Sequence, residues 1–397
     1  MKKQLRTIAI TGNYARWVYQ FRIGLLRKLQ QSGIKVVVIA APDRFERKFI
    51  KEKFLFEPIR INFYGNNPLD DAALLQQLYH IYRKHEIDAV IHYTIKPNIY
   101  GGMAAKMLGI PSYAVVTGMG HVSNRANGLI SWAGLKLYRL ALPLHRKVMV
   151  LNQRDQRELL QMKMVESRKL MLLPGEGVDT HFFQPLSDKK MPEHPSFLFS
   201  GRLMADKGIF EFVQAARVIR QRHPQVRFRI LGMLDPKGIH SIPIQTVKQW
   251  VNEGVIEYLG ETVDVRPFLA KADCVVLPSY YREGLSRILM EAASMETPII
   301  TTDQAGCREV VDDGRTGFLC RPQDVAHLVA KMEAFIHLDK IDRLIMGKNA
   351  RMKMERQYDE SIIIQQYLDL LQEDFLLPGV PTPVVVKMPL MANVAVL

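Results

Sequence analysis

The chain has 397 residues, of which 48% are hydrophobic and 24% charged, and its formal net charge is +14. This length suits two domains, and the composition is that of an ordinary soluble globular protein, which excludes disordered and fibrous classes. Three scattered cysteines exclude a disulfide framework or a cysteine-based zinc site and favour a reducing compartment, the cytoplasm: Cys274, Cys307 and Cys320.

The first half of the chain alternates strand and helix patterns. Its N-terminal apolar run is too short for a signal-peptide core and predicts a first buried strand instead. Short β-branched runs predict strands at 7–11, 35–40, 88–93 and 112–117. Helical patterns over 21–33 and 100–109 end at Gly33 and Gly109. This alternation predicts a parallel sheet wound with helices.

The second half repeats the architecture. Strands are predicted at 196–201, 226–232, 255–260, 273–278 and 297–302, with helices over 208–221 and 285–295. Proline and charge interrupt the periodicity between Pro185 and His194, where we place the boundary. We therefore predict an α/β protein with domains at 1–185 and 186–357, a helix within 358–375 that crosses back to the first domain, and a flexible tail at 376–397.

The positive charge is concentrated in the first half. Residues 1–185 hold 28 Lys and Arg against 13 Asp and Glu, a net charge of +15, whereas residues 186–397 hold 26 against 27, a net charge of −1. This asymmetry suits an anionic partner, either a cytoplasmic membrane face or nucleic acid. A basic surface that is merely solvated is the alternative.

Neither half carries the GxGxxG or Walker phosphate loops, which excludes a plain dehydrogenase or kinase. The loop 200–208, SGRLMADKG, instead places Arg202 and Lys207 between a buried strand and a helix start. Cations that converge on a helix N-terminus favour a diphosphate. The alternative is that Arg202 caps the sheet and Lys207 is solvated.

A second loop places two glutamates eight residues apart, Glu283 at a strand end and Glu291 on the following helix. Eight residues are a little over two helical turns, so both carboxylates lie near one face. Ionised carboxylates accept hydrogen bonds from sugar hydroxyls, although exposed helices also carry such pairs routinely.

Taken together, these motifs resemble family 4 of the retaining glycosyltransferases, which have the GT-B fold of two Rossmann-like domains facing each other across a cleft. The matching stretches keep their order along the chain: PGEGVD, SGRLMADKG, RILG, YLG, LPSYYREGLSRILMEA, TPII and GCREVVDDGRTGFL. The resemblance implies that Arg202 and Lys207 hold the donor diphosphate, Glu283 binds the transferred sugar and Glu291 binds the ribose. It places further donor contacts at Ser200, Gly201, Gly260, Gly284, Leu285 and Ser286, the last three through backbone N–H groups.

The first half is similar to a narrower group, bacterial enzymes that extend lipid-linked sugars. The similar stretches are FRIGLLRKL, HYTIKPNIYGGMAAKMLGIP, VVTGMGHV, LYRLAL and VMVLNQRD. We place Asn13, Gly118 and His121 on the acceptor side. Two positions depart from the group: relatives often carry a glycine pair in the loop around Asn13 and an aromatic residue at His121. Asn152 is predicted to cap the next helix.

The resemblance implies retention at the anomeric carbon. The sequence lacks the Asp-x-Asp metal clamp, so we expect a metal-independent transfer without a cofactor. By the same resemblance the donor is a UDP-linked hexose or N-acetylhexosamine and the acceptor is a polyprenyl-diphosphate-linked saccharide. Because that acceptor is lipid-linked and the positive charge lies in the first half, we expect the enzyme to be peripheral on the anionic inner membrane face. The alternatives are a nucleotide-sugar epimerase of the same fold and a basic nucleic-acid-binding protein. No nucleic-acid partner is expected, because no recognisable binding module is present.

Overall fold

The computed structural model describes residues 2–63, 65, 67–118, 128–186, 192–234, 241–281 and 284–380, with the backbone alone over 128–133. Two predicted site residues, Glu283 and His121, lie outside these ranges, as does most of the predicted tail.

The first half forms a parallel sheet in the order β4-β3-β2-β5-β6-β7-β8. Its central strands are buried, which explains their continuous apolar runs. The strands are β2 Thr7–Tyr14, β3 Lys35–Ala41, β4 Leu55–Pro58, β5 Ala89–Tyr93, β6 Ser112–Val116, β7 Lys147–Val150 and β8 Leu170–Leu172, preceded by β1 Lys3–Gln4. The helices are Ala15–Gln31, Glu46–Lys51, Pro68–Lys84, Gly102–Met107, Gly128–Ala141 and Gln153–Gln161, with a π-helical turn at Pro97–Gly101 and 3-10 turns at Leu142–Leu144 and Ser167–Lys169.

The second half forms a parallel sheet in the order β11-β10-β9-β12-β13-β14. This is the doubly wound order, in which the chain reverses its winding direction between β9 and β12. The strands are β9 Ser196–Ser200, β10 Arg227–Leu231, β11 Glu257–Tyr258, β12 Cys274–Leu277, β13 Ile299–Thr302 and β14 Gly317–Cys320. The helices are Ile209–Arg222, Ile244–Asn252, Arg266–Ala270, Arg287–Ser294, Val325–His337 and Lys340–Lys353, with 3-10 turns at Ala205–Lys207 and Arg308–Val310 and a π-helical turn at Met354–Tyr358.

The C-terminal helix Glu360–Asp374 returns to the first half, as predicted. It buries Ile363, Tyr367 and Leu371 in the core beneath the first sheet. The strand that follows it, β15 Phe375–Leu376, pairs in parallel with β1. The end of the described chain is thus tied to its beginning.

The chain passes between the two cores in the segment 174–182. Leu173 packs in the first core and Phe183 in the second. Between them, the N–H of Val178 donates to the carbonyl of Tyr358, and the N–H of Glu360 donates to the carbonyl of Val178. The two crossings of the chain therefore lie side by side, a few residues before the boundary that the sequence pattern predicts.

Candidate functional site

The two predicted loops meet at the centre of the second sheet. They follow β9 and β12, which are paired neighbours on either side of the point where the winding reverses. The backbone N–H groups of Tyr280 and Tyr281 both donate to the carbonyl oxygen of Asp206 at 2.9 Å. Ligands of doubly wound sheets bind at this place, outside the carboxyl ends of the strands.

The loop after β9 is held in a tight conformation by Gly208. This residue has φ +77°, and a Cβ there would collide with the carbonyl oxygen of Pro278. Since an L side chain is unfavourable at that φ, both the conformation and the space require glycine. The helix Ile209–Arg222 starts immediately afterwards, so its N-terminus lies at the loop.

The predicted cations lie on this loop. Arg202 is partly buried, and Lys207 is only 7% exposed, with its Nζ atom 5.3 Å from the centre of the Tyr281 ring. Ser200 is buried, and the N–H of Gly201 donates to the carbonyl of Leu231. Lys207 is therefore packed under the second loop, which argues against the solvated alternative.

The loop after β12 contacts the first half of the molecule through Gly284. A Cβ at this position would lie 2.8 Å from the carbonyl oxygen of Thr117 and 2.8 Å from Cδ1 of Leu151. The carbonyl oxygen of Gly284 also accepts a hydrogen bond from Nδ2 of Asn152 at 3.0 Å. The absence of a side chain at Gly284 is what allows this close approach.

Ser286 immediately precedes the helix Arg287–Ser294. Its N–H donates to the carbonyl of Gly306 at 2.8 Å, so in this structure the group is not directed at a ligand as the sequence suggests. Its hydroxyl is buried and has no hydrogen-bond partner among the described residues. A buried donor of this kind at a helix start is able to bind an anion.

Glu291 carries a largely buried carboxylate. Burial raises its pKa, and the nearby charge of Asp264 acts in the same direction, whereas the guanidinium of Arg287 opposes both. Nε of Arg287 donates to Oε1 of Glu291 at 3.0 Å, four residues along the same helix. Sequence reasoning overlooked Arg287, although its i, i+4 spacing from Glu291 was a usable signal.

Gly260 lies on the other side of β9 from the loop after β12. It follows β11 with φ +75°, and its carbonyl accepts a hydrogen bond from the N–H of Gly232 at 2.8 Å. A Cβ on Gly232 would in turn collide with the carbonyl oxygen of Gly201. The ends of β9, β10 and β11 are therefore packed backbone to backbone.

On the first half, Asn13 lies at the end of β2. Its Oδ1 accepts a hydrogen bond at 2.6 Å from the hydroxyl of Thr94, which follows β5. Thr94 has φ +75°, an unfavourable conformation for a β-branched residue that often marks functional sites. Gly118 follows the neighbouring strand β6. These residues share the carboxyl edge of the first sheet.

The capping role predicted for Asn152 is confirmed. Its Oδ1 accepts a hydrogen bond from the N–H of Asp155 at 2.8 Å and starts the helix Gln153–Gln161. Its Nδ2 makes the contact with Gly284 described above. One side chain thus caps a helix in the first half and contacts the candidate site in the second.

Within the described ranges, the structure contains no group of three or more His, Cys, Asp or Glu side chains arranged to hold a metal ion. The three cysteines are buried and form no disulfide. A search of the described residues for helices that are long and apolar enough to cross a bilayer finds none.

Comparison with known proteins finds a matching family model for each half of the chain. A family model described as glycosyl transferases group 1 matches residues 194–337, and one described as glycosyltransferase family 4 matches residues 23–182. The chain is a glycosyltransferase that carries a family 4 domain followed by a group 1 domain. The first model covers both candidate donor loops of this glycosyltransferase, and the second covers most of the basic half.

Individual relatives span nearly the whole glycosyltransferase. The N,N'-diacetylbacillosaminyl-diphospho-undecaprenol alpha-1,3-N-acetylgalactosaminyltransferase of Campylobacter jejuni is 25% identical over 372 residues, which are 89% of this chain and 95% of the relative. A glycosyltransferase structure from Rickettsia africae superposes with a TM-score of 0.77 at 18% identity, over 93% of this chain and 98% of the other. Anabaena HepE in complex with UDP and glucose gives a TM-score of 0.75 at 18% identity, over 92% and 98%. These structures establish the GT-B fold.

Proposed function

We propose that this glycosyltransferase moves a hexose or N-acetylhexosamine from a UDP-sugar to a polyprenyl-diphosphate-linked saccharide during bacterial glycan assembly. The observation that carries the proposal is the contact between the Arg202–Lys207 loop and the loop after β12, which leads into the Gly284–Glu291 segment, at the switch point of the second sheet. The similarity to the Campylobacter jejuni N-acetylgalactosaminyltransferase, whose name includes a diphospho-undecaprenol saccharide, supports a lipid-linked acceptor and an N-acetylhexosamine donor. The UDP and glucose in Anabaena HepE support the nucleotide.

At the donor site, Arg202 and Lys207 would neutralise the diphosphate together with the N-terminus of Ile209–Arg222. Preorganised donors of this kind each stabilise a developing leaving-group charge by roughly 3–4 kcal/mol. The buried hydroxyl of Ser286 would add a further hydrogen bond to a phosphate oxygen. Glu283 would accept hydrogen bonds from the transferred sugar, and Glu291 from the ribose.

We further infer that the reaction retains the anomeric configuration. The Campylobacter jejuni relative is named for an α-1,3 linkage, and an α-linked product from an α-linked nucleotide sugar corresponds to retention. In a front-face transfer, the departing phosphate oxygen would take the proton of the attacking acceptor hydroxyl. The chemistry then needs a cationic phosphate site, which Arg202 and Lys207 would supply without a metal ion.

On the acceptor side, the carboxyl edge of the first sheet would face the lipid-linked saccharide. Asn13 and Thr94 would position its hydroxyls, together with Gly118 and His121. Because the acceptor is anchored in a bilayer, we propose that the basic half approaches the inner membrane face. This half carries the +15 net charge.

The test is turnover of a panel of UDP-sugars and GDP-sugars with a polyprenyl-diphosphate-linked saccharide, followed by determination of the anomeric configuration of the product. We expect transfer of one UDP-sugar with an α linkage, equally fast with EDTA. Transfer that is lost with EDTA and restored by manganese or magnesium would contradict the metal-independent site. An interconverted nucleotide sugar without acceptor transfer would support an epimerase instead.

A further inference from the structure

Arg287 links three parts of the molecule. It lies at the start of the helix Arg287–Ser294, where its Nε donates to Oε1 of Glu291 at 3.0 Å. Its Nη1 donates to the carbonyl oxygen of Gly177, in the segment that crosses between the cores, at 2.8 Å. The guanidinium also lies 5.4 Å from the centre of the Phe21 ring on the first helix. The guanidinium is therefore fixed by hydrogen bonds from both Nε and Nη1.

The contact with Arg287 opposes the rise in pKa that burial causes at Glu291. The side chains of Arg287 and Glu291 are only 16% and 14% exposed, so the carboxylate is largely removed from water. Burial and the charge of Asp264 both raise the pKa of Glu291, while Arg287 lowers it. Asp264 is itself paired with Arg266, through Nη2 at 2.7 Å. An ionised carboxylate accepts stronger hydrogen bonds than a neutral carboxyl group.

Among the described residues, Arg287 donates its hydrogen bond to Oε1 of Glu291. The other carboxylate oxygen is therefore available to a ligand. The bond from Arg287 to Gly177 fixes the guanidinium from the other side, so that Arg287 is unable to rotate away without losing a second partner. A carboxylate held in this way has its orientation set before the nucleotide arrives.

We propose that Arg287 is a positioning residue for nucleotide recognition: it fixes the Glu291 carboxylate in the orientation that accepts hydrogen bonds from the ribose hydroxyls. The inference rests on the proposed role of Glu291 at the donor site. It adds a residue that does not itself touch the nucleotide and acts through Glu291. Arg287 thereby connects ribose recognition with the segment that joins the two halves.

The proposal is tested by measuring the dissociation constants of UDP, 2′-deoxy-UDP and 3′-deoxy-UDP by titration calorimetry. In the native protein, loss of the hydroxyl that Glu291 binds should weaken binding about tenfold, the size of one charge-assisted hydrogen bond. In Glu291→Gln and in Arg287→Gln this discrimination should shrink to about twofold. The double variant should lose no more discrimination than either single variant, because both act through one contact.

Two further variants separate positioning from general damage. Arg287→Lys retains the charge, and we expect it to recover part of the discrimination. Arg217→Gln removes an arginine from an exposed ion pair with Glu253, elsewhere on the same half, and should behave as the native protein. If native protein binds GDP rather than UDP, the same ribose forms of GDP serve as probes.

The outcomes distinguish the two levels of the argument. If Glu291→Gln keeps the full discrimination, the ribose assignment in the proposed function is wrong. If Glu291→Gln loses it but Arg287→Gln keeps it, the positioning role of Arg287 is overturned and the proposed function stands. A uniform weakening of all three nucleotides in Arg287→Gln, with discrimination unchanged, also overturns that role.

Discussion

The side-chain amide of Asn152 donates to the carbonyl oxygen of Gly284 at 3.0 Å, and this hydrogen bond joins the first half of the molecule to the loop that precedes the donor helix. The same side chain caps the helix Gln153–Gln161 through Oδ1. Nδ2 also donates to Oδ2 of Asp155 at 3.0 Å, so the helix cap and the contact with Gly284 both depend on this one residue. Since both groups are buried, the loss of either one should be measurable.

We predict that Asn152→Ala lowers the free energy of unfolding by about 2 kcal/mol, the sum of a lost cap and a lost buried hydrogen bond. Asn152→Ser retains a good cap but has no amide to reach Gly284, so it should recover about 1 kcal/mol. Urea unfolding of the three proteins gives these values. Equal losses in both variants would show that the cap contributes nothing.

Gly208 and Gly254 provide a matched pair of left-handed glycines. Both have positive φ, +77° and +69°, but a Cβ on Gly208 would collide with Pro278, whereas a Cβ on Gly254 meets no atom of the described chain within 4 Å. Gly254→Ala should therefore cost about 1 kcal/mol, from the backbone conformation alone. Gly208→Ala should cost about 2–4 kcal/mol, because the loop must move.

The same movement should displace Lys207, the neighbour of Gly208. We expect Gly208→Ala to weaken UDP binding even under conditions where the variant is fully folded, while Gly254→Ala binds UDP normally. Unfolding curves and UDP titrations on both variants check this. Equal stability losses would mean that the collision is relieved without cost.

The fold could be predicted because its central strands have a recognisable sequence pattern. Runs such as 36–40 and 274–277 are apolar at successive positions, as expected for strands buried on both faces, and they lie within β3 and β12. The strands β4, β8 and β14 were not predicted, because they are short and lie at or near sheet edges with mixed exposure. The first helix begins at Ala15 rather than Phe21, since Ala15 and Val18 are buried against the sheet.

The candidate site was predictable in part for a similar reason. Strand, loop and helix patterns placed Arg202 and Lys207 on a strand-to-helix loop and Glu291 on a helix that follows another such loop. Sequence patterns do not reveal which distant backbone groups become partners, so the carbonyl of Gly306 opposite Ser286 was not expected. For the same reason, the contact between Asn152 and Gly284, 132 residues apart in the chain, required the structure.

Truncation of the two glutamates of the donor segment should have different effects on kcat and on the donor KM. Glu283 would touch the transferred sugar, so Glu283→Ala should depress kcat strongly. Glu291 would bind the ribose alike in the ground and transition states, so Glu291→Ala should mainly raise the donor KM. Steady-state kinetics with varied donor separates these effects. Near-native kcat and KM in both variants would remove the basis for the donor-site assignment.

The buried histidine His145 should make the protein sensitive to mild acid. Its Nε2 donates to the carbonyl of Asn98 and its Nδ1 accepts from the hydroxyl of Ser112, both at 2.9 Å. Burial lowers the pKa of His145 to about 4, and the charge of Lys169 acts in the same direction. The ring of His92, whose pKa is also lowered by burial, lies 5.4 Å away.

Because the folded pKa of His145 lies below its ordinary value, the unfolded chain binds more protons as the pH falls below about 6.5. Stability should therefore be lost between about pH 6.5 and pH 4, with about 2 kcal/mol from His145 between pH 7 and pH 5. His145→Gln should show a smaller loss over this range, by that amount, in urea unfolding. His80→Gln, which replaces an exposed histidine, serves as the control and should match the native pH dependence. Parallel curves for His145→Gln and native protein would contradict the argument.

The helix Gly128–Ala141 presents a face suited to an anionic membrane. Lys136, Leu137, Arg139 and Leu140 are exposed, and Leu140 is 67% exposed, while Tyr138 between them is buried. Two cations that follow this helix in the chain are paired with the C-terminal helix, Arg146 with Asp374 and Lys147 with Glu373. The exposed face combines basic and apolar side chains, which is typical of helices that lie in a membrane interface.

We predict that the glycosyltransferase cosediments with vesicles containing anionic lipid and that binding weakens as salt rises, since exposed charges are screened beyond about 8 Å at physiological ionic strength. Leu140→Ser should weaken binding by removing apolar contact, and Lys136→Glu with Arg139→Glu should weaken it more, because each cation near an acidic surface contributes about 1 kcal/mol. Leu69→Ser replaces another exposed leucine of the same half and should bind like the native protein. Equal binding to neutral and anionic vesicles, or an equal effect of Leu69→Ser and Leu140→Ser, would show that this helix is not the surface that meets the membrane.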